Sequence, residues 1–161
     1  MARHAGTLPG DGAPSRLIGG QQEMIRRRDG VVVTMAKFKD APFKWGSADC
    51  SRLVAFHLKG AGYKVAVAKG GSYKSLLGAR RALARCGYST IGEALDAIGL
   101  PRIPPAAALE GDIIEVPSEN SLGSLTIFVG NGRVIGWHPD AEGAAILQPV
   151  DYVSAWRVKP L

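Results

Sequence analysis

The sequence predicts an α+β domain in which N-terminal helices pack on a C-terminal antiparallel sheet of about five strands. Apolar residues recur at helical spacing as far as Ile98, then at strand spacing after Pro104-Pro105. Asn131-Gly132 supplies the turn chemistry of a tight hairpin in the second half. The 161 residues, 46% hydrophobic with a mean hydropathy of +0.04, suit one soluble core rather than two.

Taken in order, residues 1–22 are Gly- and Pro-rich and without period, and are expected to form a flexible arm before a single domain spanning 23–161. Residues 23–40 read as a helix with Met24, Ile25, Val32, Met35 and Ala36 as core contacts and Gly30 as a weak point. Val31-Val32-Val33-Thr34 alone would also suit a strand. Pro42 breaks the helix, because it disfavours helical geometry at Ala41. A second helix is expected over 49–59, with Leu53, Val54 and Leu58 inward, and a third over 73–86. Thr90 and Glu93 have capping-box spacing and open a short fourth helix, which Gly99 stops. Strands are expected at 112–116, 125–129, 133–135, 145–147 and 155–158.

Charge is uneven. Residues 31–90 hold eleven Lys/Arg against two acids, whereas residues 91–161 hold four against nine. Such asymmetry suits either helix faces clad in Lys and Arg or a docking face. No nucleic-acid module is visible, so a nucleic-acid partner is not expected. No apolar run reaches the ~20 residues of a membrane span. Met1-Ala2-Arg3-His4 leads into no apolar signal segment, so no signal peptide is expected. Two cysteines make no disulfide framework, and neither metal nor cofactor is expected.

The chemistry concentrates in Pro42-Phe43-Lys44-Trp45-Gly46-Ser47-Ala48-Asp49-Cys50-Ser51-Arg52-Leu53-Val54. Cys50 falls in the first turn of a helix, where free N–H groups and the dipole favour a thiolate, the useful nucleophile for acyl transfer. Asp49 stands at the N-cap. On this argument alone a free cysteine is more often buried, inert packing. Cys86, late in the third helix, is read as packing. Trp45, Trp137 and Trp156 could line a groove or fill the core.

Asp49-Cys50-Ser51-x-Leu53-Val54, following an aromatic-x-aromatic-Gly run, resembles the nucleophile motif of the NlpC/P60 superfamily of papain-like cysteine peptidases and amidases. Gly111-Asp112-Ile113-Ile114 resembles that family's Gly-Asp strand opening, and Ser124 to Ile135 its second catalytic strand and hairpin. The resemblance spans roughly 37–158 and is nearest to a branch encoded in phage and prophage tail modules, which end like Trp156-Arg157-Val158. It implies a papain-like fold, a peptidoglycan stem-peptide substrate with Cys50 as nucleophile, and tail-tip or baseplate proteins as partners. It also implies a place in the virion tail, or in the bacterial cytoplasm before assembly.

The chain departs from that pattern at two points. The family's catalytic His falls on Ser124, which cannot take a thiol proton near neutral pH, and its third polar residue falls at about Gly136. His4 lies in the arm. His57 lies two helical turns past Cys50, about 10 Å along the axis, too far for a hydrogen bond. His138, within Gly136-Trp137-His138-Pro139-Asp140, is the replacement base that a small bulge would aim at Cys50, with Asp140 orienting it. Two functions remain: a Cys50–His138 hydrolase, or a catalytically decayed docking subunit of a phage-like tail tip. A cell-wall-binding module that does not cut is a third.

Overall fold

The computed structural model describes residues 15–66 and 71–161, with side chains from residue 19 onward. Four helices, α1 (Ser15–Phe38), α2 (Cys50–Gly60), α3 (Leu76–Arg85) and α4 (Ile91–Ile98), precede the sheet. Its strands are β1 (Arg102–Ile103), β2 (Ile113–Val116), β3 (Ser124–Gly130), β4 (Arg133–Gly136), β5 (Ala145–Leu147) and β6 (Ser154–Trp156). Their order across the sheet is β1-β6-β2-β3-β4-β5, with every pairing antiparallel.

Local chemistry sets the element ends. Asp49 caps α2 by accepting from the Arg52 amide at 2.9 Å, and Thr90 caps α4 by accepting from the Glu93 amide at 3.1 Å. The Glu93 carboxylate reaches back to the Ser89 amide at 2.7 Å, closing the box one residue earlier than expected. Gly99 ends α4 in the left-handed region. Asn131 and Gly132, at φ 53° and 71°, form the hairpin turn between β3 and β4.

Strand alternation divides the core. Leu125 and Ile127 of β3, with Ile113 and Ile135, meet Leu53 and Leu58 of α2. The opposite face of the sheet buries Ile114, Val134 and Ala155. Trp156 is fully buried in the helix-side core, its indole N–H donating to Asp96 at 2.8 Å. Among the described residues no helix is long and apolar enough to cross a membrane.

Two expectations are corrected. The helix α1 opens at Ser15, so residues 15–22 of the expected arm are helical; residues 1–14 lie outside the described residues. Its buried face is Arg27, Val31, Thr34 and Phe38; of the expected contacts Met35 packs against the core, while Met24, Ile25, Val32 and Ala36 are exposed. Polar groups on that face win because each has a buried partner, as described below. The sheet has a sixth strand, the two-residue β1, which pairs Arg102 with Trp156 and Ile103 with Ala155. It is too short to leave a period in the sequence.

Candidate functional site

The loop before α2 is shaped by Asp49. Its buried carboxylate accepts from the Gly46 amide at 2.8 Å and the Tyr73 hydroxyl at 2.7 Å, in addition to the helix cap. Gly46 has φ +83°, and a Cβ there would collide with the Tyr73 carbonyl oxygen, so only glycine fits this turn. Burial, then the hydrogen bond to Asp49, pushes the Tyr73 phenol up to about 12. The result fixes the start of α2, and with it Cys50.

Cys50 opens onto a cavity of about 390 Å³. Phe43, Trp45 and Trp137 form aromatic walls, Ser124 and Leu125 bring in the start of β3, and His138 and Glu142 complete the lining. The structure therefore brings Cys50, Ser124 and His138 to one cavity. Two of the three tryptophans line it, while Trp156 belongs to the core.

Burial counts against an activated thiol at Cys50. Burial raises its pKa from 9.0 to about 11, and the neighbouring Asp49 charge adds to the rise. Backbone amides of Leu125, Cys50 and Ser51 pull the other way without overcoming it. Desolvation thus outweighs the helix-start effect expected from the sequence, and near neutral pH Cys50 is a thiol.

Of the described histidines, His138 alone lines this cavity. Continuing the Ile127–Ile135 register past the end of β4 brings His138 level with Ser124. The His138 Nδ1, however, accepts the Asp140 backbone N–H at 3.1 Å, which places the proton of the neutral ring on Nε2. The same Nδ1 lies 3.6 Å from the Asp140 carboxylate, and the side chain is half exposed. At Gly136 a Cβ would stand 2.7 Å from the Thr126 methyl, so Thr126 fills the space a third polar side chain would need.

His57 is remote from this cavity. Its Nε2–H donates to the Gly111 carbonyl at 2.8 Å, and its Nδ1 accepts the Thr34 hydroxyl at 2.8 Å. Burial lowers its pKa, so it is a neutral cross-tie between α1, α2 and the turn before β2. Cys86 is the C-cap of α3, partly exposed. His4 lies outside the described residues.

The Gly-Asp strand opening proved structural. Asp112 is fully buried and accepts from Arg27 at 3.0 Å, Val158 N at 2.8 Å and Leu109 N at 2.9 Å. Arg157 lies 3.4 Å from its second oxygen. Sequence reasoning read Asp112 only as a motif residue; apart from Leu109, three residues before it, its partners lie far away in the chain.

Helices on one side of an antiparallel sheet, with a cysteine opening the central helix against the start of β3, define an NlpC/P60-type fold. The P60 domain of an M. avium paratuberculosis antigen is similar at TM-score 0.52 and 17% identity, covering 89% of this chain and 99% of that one. NlpC2 from Trichomonas vaginalis is similar at TM-score 0.51 and 17% identity, covering 83% of this chain. This chain spans 46% of the length of NlpC2. Residues 26–158 match the family described as Domain of unknown function (DUF6950), and the chain belongs to that family. No curated protein matches the sequence.

Proposed function

We propose that this protein is a non-hydrolysing NlpC/P60-like docking module of a phage-like tail, with the Cys50 cavity as its binding site. One observation carries the reading: Cys50 shares its cavity with Ser124 where a base is required, and burial there raises the thiol to about 11. Without a proton acceptor, less than one thiol in a thousand is ionised near neutral pH, and attack on an amide stalls. The place in a tail rests on the sequence resemblance at Asp49–Val54 and Trp156-Arg157-Val158. Incubation with muropeptides tests the chemistry: no cleavage is expected from the wild-type chain. Cleavage that disappears in Cys50→Ala overturns the reading. Mass spectrometry of purified tail particles tests the location, and absence of the chain from them counts against it.

A second reading is favoured by the shared cavity. There His138 releases Asp140, turns its ring and serves as base to Cys50 in a peptidoglycan stem-peptide hydrolase. Cleavage lost in both Cys50→Ala and His138→Ala would select it.

A further inference from the structure

The outer face of α3 carries an exposed apolar knob in a basic ring. Leu77 is 55% exposed, and Arg80, Arg81 and Ala84, at its i+3, i+4 and i+7 positions, share its side of the helix, all exposed. Neither Arg80 nor Arg81 forms an ion pair with a described residue. No acid occurs in the sequence between Asp49 and Glu93, so nothing local neutralises this face.

The Cys50 cavity is its complement. The walls are largely aromatic and aliphatic, with Ser51, Asn120, Ser124 and His138 among them; no Lys or Arg is among the lining residues, and Glu142 is. Exposed Asp140 lies in the same loop and exposed Glu119 precedes the lining residue Asn120, so the acids outnumber exposed Lys44, which stands between the lining residues Phe43 and Trp45. An apolar hole with an acidic rim matches an apolar knob with a basic rim in both shape and sign.

We propose that the Cys50 cavity of one copy receives Leu77 of a second copy, with Arg80 and Arg81 against Glu119, Asp140 and Glu142. The inference rests on the docking reading above and names its partner. Knob and hole are different surfaces of one chain. Two such contacts closing about a two-fold axis give a dimer, and contacts that do not close give a chain of copies. Seated there, Leu77 also covers the Cys50 thiol.

Sedimentation velocity of the full chain over a concentration series is the test, at low and high salt. The expected result is concentration-dependent association that weakens as salt rises. Leu77→Asp is expected to weaken it at least about tenfold. Arg80→Glu/Arg81→Glu and Glu119→Arg/Glu142→Arg should each fail to self-associate, yet pair when mixed, because the reversed knob then meets the reversed rim. All four positions are exposed, and recovery on mixing excludes misfolding as the source of loss. A wild-type chain that stays monomeric throughout overturns the proposal, as does Leu77→Asp associating like wild type or no pairing on mixing. The docking reading itself fails separately, through Cys50-dependent muropeptide cleavage by a monomeric chain.

Discussion

Arg27 and Asp112 form an ion pair at 3.0 Å in which both side chains are shut off from solvent. Around it Arg27 also donates to Glu23 and to the Glu110 carbonyl, and Asp112 receives two backbone amides. The pair thereby ties α1 to the entry of β2 and to the chain after β6. It holds the sheet under the helices, and so keeps β3 against the start of α2.

Breaking that pair should be costly, because the surviving charge stays buried. Arg27→Met and Asp112→Ala are each expected to destabilise the fold by about 3–5 kcal/mol. Asp112→Ala stands at the upper end, since it also strands the Leu109 and Val158 amides. Urea unfolding followed by circular dichroism checks both; a loss below about 1 kcal/mol would mean that the network relaxes around the gap.

Acid should weaken the fold through His57. Its folded pKa lies below the ordinary 6.5 because burial disfavours the imidazolium. A depressed value contributes stability that is present above 6.5 and is lost as pH falls through the folded value. The melting temperature of the wild type should therefore drop on acidification below about 6.5. His57→Gln should be less stable near neutral pH but should lose that part of the pH dependence. An unchanged slope in His57→Gln would assign the acid sensitivity to other groups.

Much of the architecture was legible because it is encoded locally. Asp49, Thr90 and Gly99 mark helix ends by their own hydrogen bonds and backbone angles, and Asn131-Gly132 marks the hairpin. The buried face of α1 was not legible: Arg27 and Thr34 go inward because Asp112 and His57 wait there, while Ile25, Val32 and Val33 stay exposed. At the site, the position of Cys50 and the missing base at Ser124 could be read from the chain. The protonation of the thiol could not, since it depends on how much protein packs around the sulfur.

The Cys50 thiol should be sluggish toward alkylating reagents at neutral pH. The rate is expected to rise with pH until about 11, well above the ordinary 9.0. Asp49→Asn removes a charge that raises the thiol's pKa while leaving an N-capping side chain, so it should bring the midpoint down. The linked stability runs the same way: the raised pKa favours the fold below 9.0, and that contribution is lost as pH rises through about 11. Stopped-flow or mass-spectrometric alkylation across the pH range measures it. A midpoint near or below neutral would restore the activated thiolate.

Placing an imidazole at position 124 tests the proposed loss of hydrolysis. The Leu125 amide is the leading group that lowers the Cys50 pKa, so the start of β3 reaches the thiol. An imidazole installed by Ser124→His would enter the same cavity and stabilise the thiolate as an ion pair. Alkylation at neutral pH should then speed up at least about tenfold. Adding a polar residue at position 136 to orient that imidazole should fail alone, because any Cβ there meets the Thr126 methyl at 2.7 Å. Gly136→Ala measures this obstacle by itself: about 1–3 kcal/mol of destabilisation is expected, relieved in a Thr126→Ser background, where the methyl is gone and the hydroxyl bond to the Ile114 carbonyl can persist. If Gly136→Ala proves neutral, Thr126 is not what keeps the third position empty. If Ser124→His leaves the thiol as unreactive as before, burial rather than the absent base is what holds Cys50 protonated.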